Sequence, residues 1–136
     1  MRTRLRRLRI DGRDYTWRAE IGHVQGDGDC HRCVRVRVWG TGKTGCALQA
    51  DLLSLTWPAP WGACAADGAY PTPEDVRALV AHGLRLGWDP GHRGGTFPLP
   101  ESVTLPGFVV TARMRDPAAA DPTARVVEAY ERRPSV

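Results

Sequence analysis

The chain lacks any apolar stretch long enough to cross a membrane. No segment approaches the roughly 18 uninterrupted apolar residues of a membrane span. The basic start MRTRLRRLRIDG never reaches the apolar run of about 7 to 15 residues that a secretory signal needs. Asparagine is absent, and only one of the 19 basic residues is lysine. We therefore expect a cytoplasmic protein without a membrane partner, from a bacterium with a GC-rich genome.

Size and composition indicate a single globular domain. The 136 residues fit the usual range of roughly 100 to 200 residues per domain. The composition, 42% hydrophobic and 25% charged, is sufficient for a modest core that needs neither disulfides nor metal. We assign residues 1–115 to one α+β domain and residues 116–136 to a linker and a short tail helix.

Residue patterns predict an antiparallel sheet of about five strands connected as a meander. Alternation of apolar and polar residues is the basis of each assignment, and Asp11-Gly12 is the signal for the first hairpin turn. The predicted strands are 4–10, 14–20, 33–39, 46–53 and 108–115, with a brief extended piece at 96–99. The Gly-rich and Asp-rich segment Gly22–Asp29 is predicted to be an exposed loop.

One main helix is predicted to pack on one face of this sheet. Thr72 is typical of an N-cap, Pro73 of the first helical position, and two acids follow in the first turn. An apolar stripe at helical spacing runs from Val76 to Leu84, and the helix is expected to stop near Leu86, followed by Gly87 in a left-handed conformation. Asp121-Pro122 predicts a second, short helix in the tail, which would present an apolar edge.

Positive charge is concentrated in the first part of the chain. Residues 1–48 contain eleven basic and five acidic residues, a net charge of +6, whereas residues 49–136 contain eight and ten, a net charge of −2. Strand alternation predicts a basic outward sheet face with one tryptophan that could stack on bases. Its members are Arg7, Arg9, Arg18, Arg35, Arg37, Trp39, Arg113 and Arg115. Such a face could be a solvated surface, bind an acidic protein or bind nucleic acid.

A metal site is a weaker candidate. Cys30 and Cys33, with His23 as a third candidate, offer thiolate and imidazole ligands that suit tetrahedral zinc. A second pair of ligands is missing from the sequence, and incidental thiols explain this segment better than zinc or a redox pair.

No catalytic residue can be assigned from the sequence. The Gly-Lys-Thr within Gly40–Gly45 suggests a phosphate loop, but position 37, where the first glycine should be, is arginine. The segment that follows is predicted to be a strand, so a hairpin turn is the better interpretation. The four histidines show no arrangement with serine or cysteine that indicates nucleophilic catalysis.

Several segments together resemble a set of small, uncharacterised bacterial proteins. The shared features are of the types DGxxYTWR, VRVWG, YPTP and GWDP, found here within 11–18, 36–40, 70–73 and 87–90. The likeness extends over about residues 5–115. It implies a recurring stand-alone domain and transfers no catalytic residue.

Three functions follow from these observations. The first is a non-enzymatic binding or adaptor protein that docks an acidic protein partner through the basic sheet face, with the tail helix as a further contact. The second is sequence-tolerant binding of nucleic acid by the same face. The third is a small enzyme with a pocket between the main helix, the sheet and the connection around Trp57 and Trp61.

Overall fold

The computed structural model describes residues 5–40, 44–55 and 68–132. These residues form six strands and two helices, which confirms the predicted α+β class. In chain order the elements are β1 (Arg6–Ile10), β2 (Arg13–Gly26), β3 (Asp29–Trp39), β4 (Ala47–Ser54), α1 (Pro73–Leu86), β5 (Thr96–Pro98), β6 (Phe108–Val110) and α2 (Pro122–Glu131). Neither helix of this described part could span a bilayer.

The strands form a mixed sheet. β1, β2, β3 and β4 lie side by side in chain order, as the predicted meander requires, and β5 and β6 both pair with β4. The β4–β6 pair is antiparallel, but the β4–β5 pair is parallel. The prediction of a wholly antiparallel sheet is therefore wrong at β5. The chain travels from β4 to β5 through α1, and a crossover of that kind allows parallel pairing.

The chain folds as two compact units, each assembled from three segments. Unit 1 consists of Met1–Glu20, Arg35–Ala50 and Pro71–Leu99. Unit 2 consists of Ile21–Val34, Asp51–Tyr70 and Pro100–Val136. Neither unit is continuous in sequence. The composition along the chain therefore shows no single boundary between the two units.

In unit 1, β1 and β2 form the hairpin that Asp11-Gly12 predicts. The register pairs Ile10 with Arg13 and Leu8 with Tyr15, which leaves a loop of two residues. Asp11 and Gly12 have φ angles of 50° and 77°. Positive φ at both central positions is the requirement of a type I′ turn, which matches the twist of the two strands and explains why this dipeptide occurs here.

Helix α1 of unit 1 begins and ends where the sequence indicates. The Thr72 Oγ1 accepts a hydrogen bond from the Asp75 amide at 3.2 Å, and the Asp75 carboxylate accepts one from the Thr72 amide at 2.8 Å. These two bonds form a capping box. Gly87 ends the helix with φ 106°. A Cβ at Gly83 would be only 2.7 Å from Leu48 Cδ1, so this glycine allows α1 to pack closely on β4.

In unit 2, β2 continues through most of the segment that was predicted to be a loop. The strand extends to Gly26, and only Asp27-Gly28 separates it from β3. Gly28 has φ 71°, and the Gln25 side chain donates to the Asp29 carbonyl across this turn at 2.9 Å. Val24, 8% exposed, belongs to the core of unit 2. The prediction of a loop at 22–29 is therefore wrong. Glycine and aspartate in this segment favour turns, but burial of Val24 in the core holds the segment in an extended strand.

β6 is shorter than the predicted closing strand at 108–115. Pairing with β4 ends at Val110, and residues 113–115 form a turn. The Thr111 amide donates to the Asp51 carbonyl of β4 at 2.9 Å, whereas the next amide on the β4 side, that of Arg113, donates to the Thr111 Oγ1 at 3.2 Å. A side-chain acceptor thus replaces the neighbouring strand, and the ladder ends there.

Helix α2 contributes to the core of unit 2, whereas the sequence suggested a tail outside the domain. Asp121 caps it, since one carboxylate oxygen accepts from the Ala124 amide at 3.1 Å and the other from the Asp27 amide at 2.7 Å. Val126 is only 1% exposed. It belongs to a cluster of buried residues with Val24, Cys33, Leu53, Leu55 and Val109. An apolar edge of α2 is therefore already buried within unit 2.

Candidate functional site

The basic side chains of unit 1 lie on the sheet face opposite α1. Helix α1 packs on the Leu48 side chain, so Gln49, the next residue of β4, projects to the other face. The Arg37 Nε donates to the Gln49 Oε1 at 3.0 Å, which places Arg37 on that face as well. Arg35, two residues earlier in β3, shares this face by strand alternation.

The β1–β2 hairpin adds three arginines to the same face. The Tyr15 ring lies 6.1 Å from the ring of Trp88, directly after α1, so Tyr15 is on the helix side. Strand alternation then places Arg18 on the opposite face. Cross-strand pairing places Arg7 beside Thr16 and Arg9 beside Asp14, also on that face. We call this surface, formed by Arg7, Arg9, Arg18, Arg35 and Arg37, the basic face of unit 1.

The basic face of unit 1 retains an excess of positive charge. The acidic residues of unit 1 that strand alternation places on this face are Asp14, 3.9 Å from Arg9, and Glu20, 3.3 Å from Arg18. Five arginines against two carboxylates leave a net charge of +3. Both ion pairs are at least partly exposed, so each contributes at most about 1 kcal/mol to stability. Arg7 is exposed and forms no ion pair with a described residue, so it is accessible to an external anion.

Exposure on this face falls from β1 towards β4. Arg7 and Arg9 are exposed, whereas Arg35 and Arg37 are half-buried and Gln49 is 6% exposed. The accessible positive charge is therefore concentrated at the β1 edge.

Trp39 does not form the stacking surface that the sequence predicted. It is only 8% exposed, and the Arg18 guanidinium lies over its ring at 5.7 Å from the centroid. The contact has cation–π geometry and covers one side of the indole. Alternation in β3 correctly predicted that Trp39 shares a face with Arg35 and Arg37. It could not indicate that the Trp39 ring is buried on that face, with the Arg18 guanidinium over it.

Arg113 and Arg115 belong to unit 2 and not to the strand that would have placed them on this face. Both lie in the turn after β6. The Arg113 Nη1 donates to the Ala119 carbonyl at 2.7 Å, so it stabilises its own loop, while Arg115 is exposed. The predicted grouping of these two with the other arginines depended on a strand that ends at Val110.

The three candidate zinc ligands are dispersed in unit 2. Cys33 is fully buried in the apolar core, Cys30 is half-buried and His23 is exposed. Positions 30 and 33 of β3 project to opposite faces of the strand. Within residues 5–40, 44–55 and 68–132, no group of three or more His, Cys, Asp or Glu is arranged to hold a metal ion. The interpretation of these residues as incidental thiols, with zinc as the weaker alternative, stays a prediction.

The Gly40–Gly45 loop leads into a strand, as the hairpin interpretation requires. β4 begins at Ala47, so no helix N-terminus follows the loop to receive a nucleotide phosphate. The central residues 41–43 lie outside the described residues. So do Trp57 and Trp61, and the pocket expected beside them stays a prediction.

Sequence reasoning missed two polar positions in β4. All eight residues of the strand are buried, including Gln49 at 6% exposure and Asp51 at 2%. Polar side chains at alternate positions of an apolar strand were a usable signal, because such groups are normally buried only with hydrogen-bond partners. In unit 1 the partner of Gln49 is Arg37, which fixes one guanidinium of the basic face.

Comparison with protein-family models, with curated proteins and with solved structures finds no match to this chain. The resemblance to small bacterial proteins therefore stays a prediction, and the geometry of the chain itself has to support any functional assignment.

Proposed function

We propose that this chain is a non-enzymatic binding protein, cytoplasmic in location, that docks an acidic protein through the basic face of unit 1. The observation that supports this most directly is the net charge of +3 on a sheet face away from α1. Complementary charge of this kind raises the rate of association and selects partners by sign.

The arrangement of the arginines favours a protein partner. Arg18 is positioned by Trp39 and Glu20, and Arg37 by Gln49. Side chains already held in place lose less conformational entropy on binding, which favours a partner with carboxylates at fixed positions. Guanidinium groups form bidentate hydrogen bonds with such carboxylates.

Nucleic acid is the second candidate for the same surface. The excess of positive charge favours it, since neutralisation of phosphates supplies most sequence-independent affinity. The burial of Trp39 weakens it, because the base-stacking surface that was expected on this face is covered.

A charge-reversal experiment tests the assignment. Full-length protein would be used to capture partners from nuclease-treated lysate of its own source. A double variant, Arg7→Glu with Arg9→Gln, lowers the net charge of the exposed edge by three. The control, Arg77→Glu with Arg85→Gln, makes the same charge change on exposed positions of α1, away from the basic face.

The expected result is an acidic protein captured by the wild type and by the control but lost with the face variant. Its affinity, measured with the purified partner, should fall at least about tenfold in the face variant and decrease with salt. Equal capture by both double variants would contradict the assigned face. Salt-dependent anisotropy changes with labelled oligonucleotides, lost only in the face variant, would instead identify nucleic acid as the ligand.

A further inference from the structure

Unit 1 contains a polar cavity that is separate from the role proposed for the basic face. Its volume is about 530 Å³, which is within the range of about 300 to 1,000 Å³ typical of small-molecule sites. Three segments supply its walls: the β1–β2 turn with the start of β2, the ends of the Gly40–Gly45 loop, and the loop after α1. The lining residues are Gly12, Arg13, Asp14, Tyr15, Gly40, Thr44, Gly45, Pro90 and Gly91.

The wall formed by the loop after α1 is held firmly in place. The Cys46 amide donates to the His92 carbonyl at 2.6 Å, and the Gly94 amide donates to the Thr44 carbonyl at 3.0 Å. A Cβ at Gly45 would overlap the Pro90 carbonyl oxygen, and one at Gly40 would lie 3.1 Å from Pro90 Cβ. Glycine at these two positions therefore allows the loop to approach the ends of β3 and β4, and the cavity exists before a ligand binds.

Two of the lining side chains offer unused hydrogen-bond donors. Tyr15 is only 3% exposed, yet its hydroxyl forms no hydrogen bond with any described residue. The Tyr15 hydroxyl is not among the fully buried polar atoms, so it is accessible from the cavity that this residue lines and can donate a hydrogen bond to a ligand. Arg13 is exposed and forms no ion pair within the described part of the chain.

Arg13 and Tyr15 project from the same face of β2, because they are two residues apart in a strand. The carboxylate of Asp14 belongs to the opposite face, where it lies 3.9 Å from the Arg9 guanidinium. The Thr44 hydroxyl, on the other side of the cavity, is a further donor without a partner among the described residues. The donors available to a ligand are thus a guanidinium and two hydroxyls.

We propose that this cavity binds the phosphate group of a small phosphomonoester. Arginine pairs with phosphate oxygens through two parallel hydrogen bonds, and hydroxyl donors complete the set around a tetrahedral anion. A Cβ at Gly12 would have nothing within 4 Å, so at this position the backbone is open to close approach by the ligand. The volume exceeds what a phosphate ion alone fills, so the remaining space accommodates the organic part of the ligand.

Calorimetric titration of the full chain with inorganic phosphate and with AMP tests this site. The variants are Arg13→Gln and Tyr15→Phe, the second of which removes the hydroxyl but keeps the ring next to Trp88. Arg9→Gln is the matched control, since it removes an equal charge from the opposite face of the same hairpin. Far-UV circular dichroism confirms that each variant is folded.

The wild type is expected to bind at a single saturable site. Arg13→Gln should weaken binding about tenfold or more, and Tyr15→Phe about two- to tenfold, while Arg9→Gln leaves it within about twofold. Tighter binding of AMP identifies a phosphomonoester, and displacement of AMP by phosphate at equal affinity identifies the free ion. The proposal is overturned if neither ligand saturates, or if Arg9→Gln weakens binding as much as Arg13→Gln.

Phosphate binding in the cavity can be tested separately from the docking of an acidic protein on the basic face of unit 1. Arg9 belongs to the basic face and Arg13 to the cavity, so capture of an acidic protein and binding of phosphate should be lost in different variants.

Discussion

Replacement of Gly26 by alanine tests how closely α2 packs on β2 in unit 2. A Cβ at this position would overlap the Thr123 hydroxyl, lie 2.8 Å from the Thr123 backbone nitrogen and lie 3.2 Å from His31 Cδ2. The backbone nitrogen cannot move without the first turn of α2. The Gly26→Ala variant should therefore displace the start of this helix.

The expected cost follows from three contributions. Overpacking of a close contact costs about 1 to 3 kcal/mol. Displacement of Thr123 also weakens its 2.8 Å hydrogen bond with His31 Nε2, at about 0.5 to 1.5 kcal/mol. Gly26 does not have a positive φ, so alanine can adopt its backbone conformation without strain. Alanine also lowers the conformational entropy of the unfolded chain, which stabilises the folded protein by about 0.4 to 1 kcal/mol. We expect a net loss of about 0.5 to 4 kcal/mol in the free energy of unfolding.

Gly22→Ala, in the same strand and the same unit, is the matched control. A Cβ there would lie 3.5 Å from the Cys33 carbonyl oxygen and 3.7 Å from Met114 Cε, both ordinary contacts. The control should be neutral or stabilised by up to about 1 kcal/mol. Urea unfolding followed by far-UV circular dichroism measures both variants. If Gly26→Ala is as stable as Gly22→Ala, the close packing of α2 described above is refuted.

Two further stability predictions use pairs of variants within one helix. Thr72→Ala should destabilise the protein by about 0.5 to 2 kcal/mol, because it removes the capping hydroxyl of α1. Thr72→Ser keeps that hydroxyl and should retain most of the stability. Equal losses for the two variants in thermal melts would exclude the capping box as the cause. Arg125→Leu should cost about 2 kcal/mol or more, because the Arg125 Nη2 donates to the Glu101 and Val110 carbonyls at 2.7 and 2.6 Å. Arg132→Leu breaks only an exposed pair with Glu128 and should cost under about 1 kcal/mol in the same urea assay; a larger loss for Arg132 would contradict this ranking.

Much of the secondary structure could be predicted because its signals are local. A type I′ turn requires two residues with positive φ, and Asp11-Gly12 provides them in adjacent positions. The capping box of α1 involves residues only three apart, so Thr72 and Asp75 indicate it directly. Alternation along β3 depends only on strand geometry, which is why the valines at 34, 36 and 38 are buried on the face opposite Arg35 and Arg37.

The candidate basic face was predicted in part for the same reason. Alternation placed Arg7, Arg9, Arg18, Arg35 and Arg37 together, and unit 1 contains all five on one face. It failed for Arg113 and Arg115, because pairing with β4 ends where the Arg113 amide donates to the Thr111 side chain and no longer to β4. This hydrogen bond leaves the apolar and polar alternation of residues 108–115 unchanged, so the alternation does not show where the strand ends.

The sequence by itself determined the turns, the helix caps and the facing of side chains along each strand, since these depend on residues within about four positions of one another. Only the tertiary structure decided the parallel β4–β5 pair, the burial of Trp39, the place of α2 in the core of unit 2 and the cavity beside Tyr15. Each of these features depends on tertiary contacts between segments that are distant in sequence. Such contacts are set by the packing of complementary surfaces, which the spacing of residues within one segment does not encode.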